Sequence, residues 1–154
     1  MKMNKKLFVG LIAMILVLGI APIVSAQSME YYISTGRLVL PDGSVITDCY
    51  SGVPAYRNNP DATNRRFEGP IPTGTYYVVD VDNSITVNTI VLRDDGSNNM
   101  RGRDPDSFRI HGDNSTSTAS AGCIIVNASG RQRIIDAHNR ARNNGAILTL
   151  YVYR

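Results

Sequence analysis

Short apolar runs punctuated by turn residues, with a single stretch of helical spacing, set the pattern of this 154-residue chain. Residues 31–34 and 37–40 read as short strands. Pro41-Asp42-Gly43 is a turn, because proline presets φ and glycine accepts a positive φ. The run 44–50 then returns, so 37–50 reads as a hairpin that ends at Ser51-Gly52. Residues 53–68 are polar and rich in Asn, Pro and Arg, a loop long enough to be functional or mobile; its Arg57, Arg65 and Arg66 read as solvated loop surface. Gly69-Pro-Ile-Pro-Thr-Gly-Thr75 is a rigid turn feeding a strand over 75–81. Bulk on both faces of that strand suits a sandwich or barrel interior. A further strand covers 86–93. Phe108 and Ile110 lead into His111, and Ile124 to Val126 follow Cys123, giving two strand ends joined by the polar loop 113–119.

One helix follows. Ser129 with Gln132 three residues on forms a capping box, Ile134, Ala137 and Ala141 make the apolar stripe, and Gly145 supplies the stop. His138, among Arg133, Arg140 and Arg142, reads as a surface or boundary residue, and the last two arginines suit the helix dipole. The run 147–153 alternates with Leu148, Leu150 and Val152 on one face. Eight or so short strands and one helix before the last strand make a mainly β, single-domain fold of sandwich or barrel-like type.

The start of the chain changes the charge argument. Lys2, Lys5 and Lys6 precede an apolar run over 7–21, then Pro22 and the small-residue site Val24-Ser25-Ala26. That is the pattern of an export signal cleaved after Ala26, leaving a domain over 27–154 in the periplasm or outside the cell. An uncleaved anchor is disfavoured because the run is short for a span and broken by Pro22. All the lysines lie in the signal, so the 16 basic residues leave 16 − 3 = 13 arginines against 13 acids in the mature chain. A neutral mature domain gives no support to nucleic-acid binding and carries no stable membrane anchor. Asp80, Asp82 and Asn83 resemble the opening of a calcium loop, but Val91 stands where its bidentate glutamate belongs. No metal or other cofactor is called for.

The chemistry concentrates between Arg109 and Cys123. A cysteine is nucleophilic as thiolate, and a nearby imidazole is its usual activator. His111 and Cys123 are 12 positions apart, and adjacent strand ends would bring them to one rim. Gly122 lets the backbone turn sharply and point amides at a substrate carbonyl oxygen. The competing reading is a Cys49–Cys123 disulfide stapling a secreted, non-enzymatic β domain that binds cell wall or another protein. A cysteine peptidase acting on other peptides is a third.

Ser120-Ala-Gly-Cys123, with His111-Gly112 upstream and Pro70-Ile-Pro-Thr-Gly-Thr-Tyr76 in register, resembles the signature of YkuD-type L,D-transpeptidases. With Tyr50-Ser-Gly52 added, it is similar to the L,D-transpeptidase-like toxins delivered by type VI secretion. The resemblance implies a cysteine enzyme on peptidoglycan stem peptides, acting as L,D-carboxypeptidase or exchanging or crosslinking terminal D-alanine. It implies Cys123 as nucleophile, His111 as general acid–base and Ser120 as the residue ordering the loop. Backbone amides at Ala121 and Gly122 would hold the oxyanion, while Arg109 and Gly112 would meet substrate. Ala121 and Ile125 stand where many members carry histidine and arginine, which removes polar contacts to substrate. The kinship also allows an inhibitor or immunity protein as partner.

Overall fold

The computed structural model describes residues 27–116, 118 and 120–154. The expected export signal, 1–26, lies outside the described residues. The strands are β1 (Ser28–Tyr32), β2 (Arg37–Val39), β3 (Val45–Ile46), β4 (Tyr50–Ser51), β5 (Gly74–Asp82), β6 (Thr89–Asp94), β7 (Arg109–His111), β8 (Ile124–Ile125) and β9 (Thr149–Tyr153), with helix α1 (Ala128–Asn143) before the last. They form one curled, half-barrel sheet in the order β3-β2-β1-β9-β5-β6-β7-β8-β4. The mainly β class and the single helix before the last strand are as the sequence led one to expect.

Period-two burial explains the local choices. Met29 and Tyr31 of β1, Tyr76 and Val78 of β5, and Leu150 and Val152 of β9 all point into one core. Tyr77 and Val79 are only half-buried, so β5 does not bury both faces as its bulk suggested. A sheet that curls round one core fills its concave side first. The first and last strands, β1 and β9, pair in parallel with Glu30 beside Tyr151, which ties the two ends of the domain together.

The expected hairpin is real but shorter. Leu38 pairs with Ile46 across β2 and β3, and the Asp42 carboxylate accepts from Ser44 N at 2.9 Å to close the turn. Asp48 then adopts φ +62°, and Tyr50–Ser51 leaves the hairpin to pair with β8 instead. The loop over 53–68 is not irregular throughout. Two 3-10 turns, Pro54–Tyr56 and Pro60–Ala62, stiffen it. Its arginines lie over rings, Arg57 on Tyr50 at 3.8 Å and Arg65 on Tyr56 at 4.3 Å.

Helix α1 is capped two residues earlier than the capping box suggested. Asn127 is the N-cap and its side chain accepts from Gly130 N at 2.8 Å; Gln132 instead donates to Asp136. The end is a Schellman motif, with Gly145 N donating to Arg142 O and Ala146 N to Ala141 O. Ile134, Ala137 and Ala141 are fully buried, as expected, but so is His138, at 4% exposure. The reason is spacing: His138 lies four residues after Ile134, on the same stripe. Asn127→Ala should lower unfolding stability by about 1 kcal/mol, read from urea midpoints at unchanged m-value.

Candidate active site

The pairing of β7 with β8 builds the site. These strands run parallel, with Ile110 beside Ile124 and His111 beside Ile125. Parallel neighbours cannot be joined by a tight turn, so a long connection separates β7 from β8 in sequence. Continuing the register back by one residue sets Cys123 beside Arg109. Cys123, Ile125, Arg109 and His111 therefore share one sheet face, while Ile110 and Ile124 fill the core on the other. The sequence led us to expect adjacent strand ends with the thiol and imidazole at one rim. The strands are adjacent, and the two groups lie on a diagonal, two strand positions apart, with no hydrogen bond joining them.

The imidazole is fixed by its own neighbour. His111 is 2% exposed, and its Nδ1 lies 2.7 Å from Gly112 O. A carbonyl only accepts, so Nδ1 carries the proton and Nε2 is the nitrogen able to take another. Burial lowers the His111 pKa below the ordinary imidazole value; the Gly112 carbonyl and Asp113 pull it back, and the Arg131 charge lowers it further. Cys123 is half-buried, with Sγ 4.0 Å from Ser107 O. Burial raises its thiol pKa, opposed by the Arg109 backbone amide and guanidinium. Both groups are thus held neutral at rest. The arrangement suits proton transfer during attack rather than a standing thiolate–imidazolium pair.

Behind Cys123 the loop is knotted by two buried serines. Ser120 Oγ donates to Cys123 O at 2.6 Å and accepts from Gly52 N at 2.8 Å and Gly122 N at 3.3 Å. Ser51 Oγ donates to Gly122 O and accepts from Ile71 N, which joins the 69–75 turn to the cysteine loop. Gly122 sits at φ +119°, and a Cβ there would lie 2.9 Å from Arg103 Nη1. Arg103 itself is buried and donates to Pro70 O, Thr63 O and Arg65 O. Ser51 and Arg103 had no assigned role in the sequence, although Tyr50-Ser51-Gly52 belonged to the resemblance. Nothing about a lone arginine in a charged turn marks it as buried.

The rim beside His111 is also tied. Tyr50 OH donates to Asp113 Oδ1 at 2.6 Å, and Arg57 lies over the Tyr50 ring. A cleft of about 230 Å³, lined by Ile85, Thr86, Gly112, Asp113 and Asn114, opens onto His111. Arg109 Nη1 donates to Asp106 O and Phe108 O, so its guanidinium folds back on its own chain. Ala121 is exposed. A larger cleft of about 480 Å³ involves His138, Arg142 and Val78 and shares no residue with this one.

The disulfide alternative does not survive the register. Cys49 and Cys123 are both free thiols. Tyr50 pairs with Ile125 and Ser51 with Ile124, so Cys49 falls beside Val126 and Cys123 beside Gly52. Three strand positions, about 10 Å, separate them, whereas a disulfide needs Cα atoms within about 7 Å. Cys49 is 2% exposed, and burial pushes its thiol up to about 12. A thiol-specific reagent should therefore label one cysteine, Cys123, in the native protein and two after denaturation; two fast-reacting thiols in the native state would contradict this burial.

The two histidines also bear on the acid stability of the fold. His138 is shifted down by burial and by Arg142, as His111 is by burial and Arg131. Unfolded imidazoles bind protons near pH 6.5 and the folded ones only lower, so in that window the unfolded state holds more protons. Stability should be full above pH 6.5 and fall as the pH drops below it. Urea midpoints between pH 7.5 and 5 check this, and a flat profile would contradict it.

Comparison with known proteins bears on what this geometry serves. No curated protein and no solved structure matches the chain. A family model, the Tlde1 domain, matches residues 46–150, a stretch running from β3 into β9 and containing every residue of the cleft, the thiol and the imidazole. With well over half of its length matched, the chain belongs to the Tlde1 domain family, a family of type VI secretion effectors.

Proposed function

We propose that the protein is a cysteine-dependent, YkuD-like enzyme that cuts or exchanges the terminal D-alanine of peptidoglycan stem peptides. The observation that carries this reading is the shared face of Cys123 and His111, with Nδ1 engaged by Gly112 O and Nε2 turned over to proton transfer. Family membership in a group of effectors supports a target in the cell wall.

In the reaction Cys123 Sγ attacks the carbonyl carbon between the L-centre of the diamino acid and D-alanine. Its proton passes to His111 Nε2 as the S–C bond forms. Gly122 N is turned to Ser120, so the oxyanion role falls to the Ala121 and Cys123 amides, each such donor contributing about 3 kcal/mol. The tetrahedral intermediate collapses by breaking the C–N bond, and the imidazolium returns its proton to the departing amine. The thioester is then resolved by water, by another amine or by a second stem peptide. The acceptor gives its proton to His111, the S–C bond breaks, and the thiol is restored. Arg109, beside the sulfur, lowers the cost of negative charge there. Thiol and imidazole start on a diagonal, so substrate binding must draw them together, as in other sites whose catalytic contacts tighten only in the complex.

The export pattern at residues 1–26 supports an activity in the envelope or outside the cell. An effector acting on the wall would also threaten its maker, which argues for an immunity protein as partner.

Reduced mature protein incubated with a disaccharide-tetrapeptide should lose one D-alanine by mass spectrometry, or yield a dimer if it crosslinks. Cys123→Ala and His111→Gln should each reduce turnover by about a thousandfold or more. Because neutral His111 is the active base, the rate should climb with pH through a midpoint below 6.5 and level off near neutrality. Folded wild-type protein that leaves tetrapeptide and crosslinked wall untouched would end this reading.

A further inference from the structure

Arg131 stands in the first turn of α1 with only 8% of its surface exposed. A cation there opposes the helix dipole, and its desolvation is costly. No carboxylate pairs with it among the described residues, and its Nε has no hydrogen-bond partner. Packing alone would favour an aliphatic side chain. Residues kept against such costs are where function is expected.

Its contacts converge on the backbone around His111. Nη1 donates to Val126 O at 2.6 Å, and Val126 N donates to His111 O at 3.0 Å. Nη2 donates to Val87 O at 3.2 Å, one residue from Thr86, whose Oγ1 accepts from Gly112 N at 2.9 Å. Gly112 lies directly against the guanidinium, and a Cβ there would come within 2.9 Å of Nη1. Gly112 O is the acceptor that orients the imidazole. One planar fork thus joins the end of β8, the 86–87 turn and the peptide after His111. Lysine, a point donor on a flexible stem, cannot bridge two carbonyls in this way.

We infer that Arg131 is the positioning residue of the His111 imidazole, a buried guanidinium seat that sets the ring's orientation and keeps a positive charge behind it. The charge acts in the sense a general base at neutral pH requires, disfavouring the imidazolium before substrate arrives. Asp113 from the segment after β7, held by Tyr50 of β4, acts in the opposite sense, so the base is balanced between a cation beneath and an anion at the rim. Arg109 on β7 and Cys123 at the start of β8 share the ring's sheet face. The catalytic consequence rests on the function proposed above, whereas the seat itself does not.

The test uses the mature chain with Arg131→Met and Arg131→Lys. Imidazole NMR titration is simple because the protein has two histidines, and His138→Gln assigns the signals. Arg131→Met should raise the His111 midpoint by about half a unit or more and lower kcat about tenfold or more. Arg131→Lys should keep the midpoint low yet still lower kcat, with KM within about twofold, since charge is retained and the bridge is lost. An unchanged midpoint and kcat in folded Arg131→Met would overturn the inference. Should that variant not fold, wild-type kcat in Arg131→Lys would overturn it instead. If the wild type itself shows no Cys123-dependent turnover, the proposed function fails, and the titration still decides whether Arg131 seats the ring.

Discussion

Two parallel strands of two or three residues each are the least self-sufficient ladder in a small β domain, and here the whole candidate site depends on one. β7 and β8 contribute few hydrogen bonds of their own. They stay in register because β6 flanks one side and β4 the other, each antiparallel, and because Ile110 and Ile124 anchor the opposite face in the core. A one-residue slip would turn Cys123 inward and expose an isoleucine. The core therefore enforces the placement of the thiol and the imidazole on one face.

Around that ladder the polar groups serve as ties. Ser120, Ser51, Arg103 and Arg131 are all buried, and each bridges backbone segments distant in sequence. Both arginines meet carbonyls rather than carboxylates, and each lies against a glycine next to a residue of the candidate site, Gly122 before Cys123 and Gly112 after His111. The tight loops there leave carbonyls pointing inward, and a guanidinium fork satisfies several at once. It also leaves net positive charge beneath the site, a setting suited to developing negative charge on an oxyanion or a thiolate.

Burial favours the neutral form of both Cys123 and His111, which under the proposed function would defer reactivity until substrate is bound. The same burial has a second consequence. A thiol kept protonated and half-covered resists the oxidation that a standing thiolate invites.

Much of this was legible in the sequence. The alternation of the strands, the stripe of α1 and the placing of Arg109, His111 and Cys123 at strand ends follow from residue types and spacing, because side-chain periodicity is a local property of the chain. The same local logic marked His138 as surface from its charged neighbours, when its place four residues after Ile134 put it in the core. What only the tertiary structure decided was which segments meet. Sequence spacing cannot tell that Tyr50–Ser51 abandons its hairpin for β8, that Cys49 ends three ladder positions from Cys123, or that Arg103 and Arg131 turn inward. Those outcomes depend on pairings between distant strands and on carbonyls left unsatisfied by tight loops, which exist only once the sheet has closed round its core.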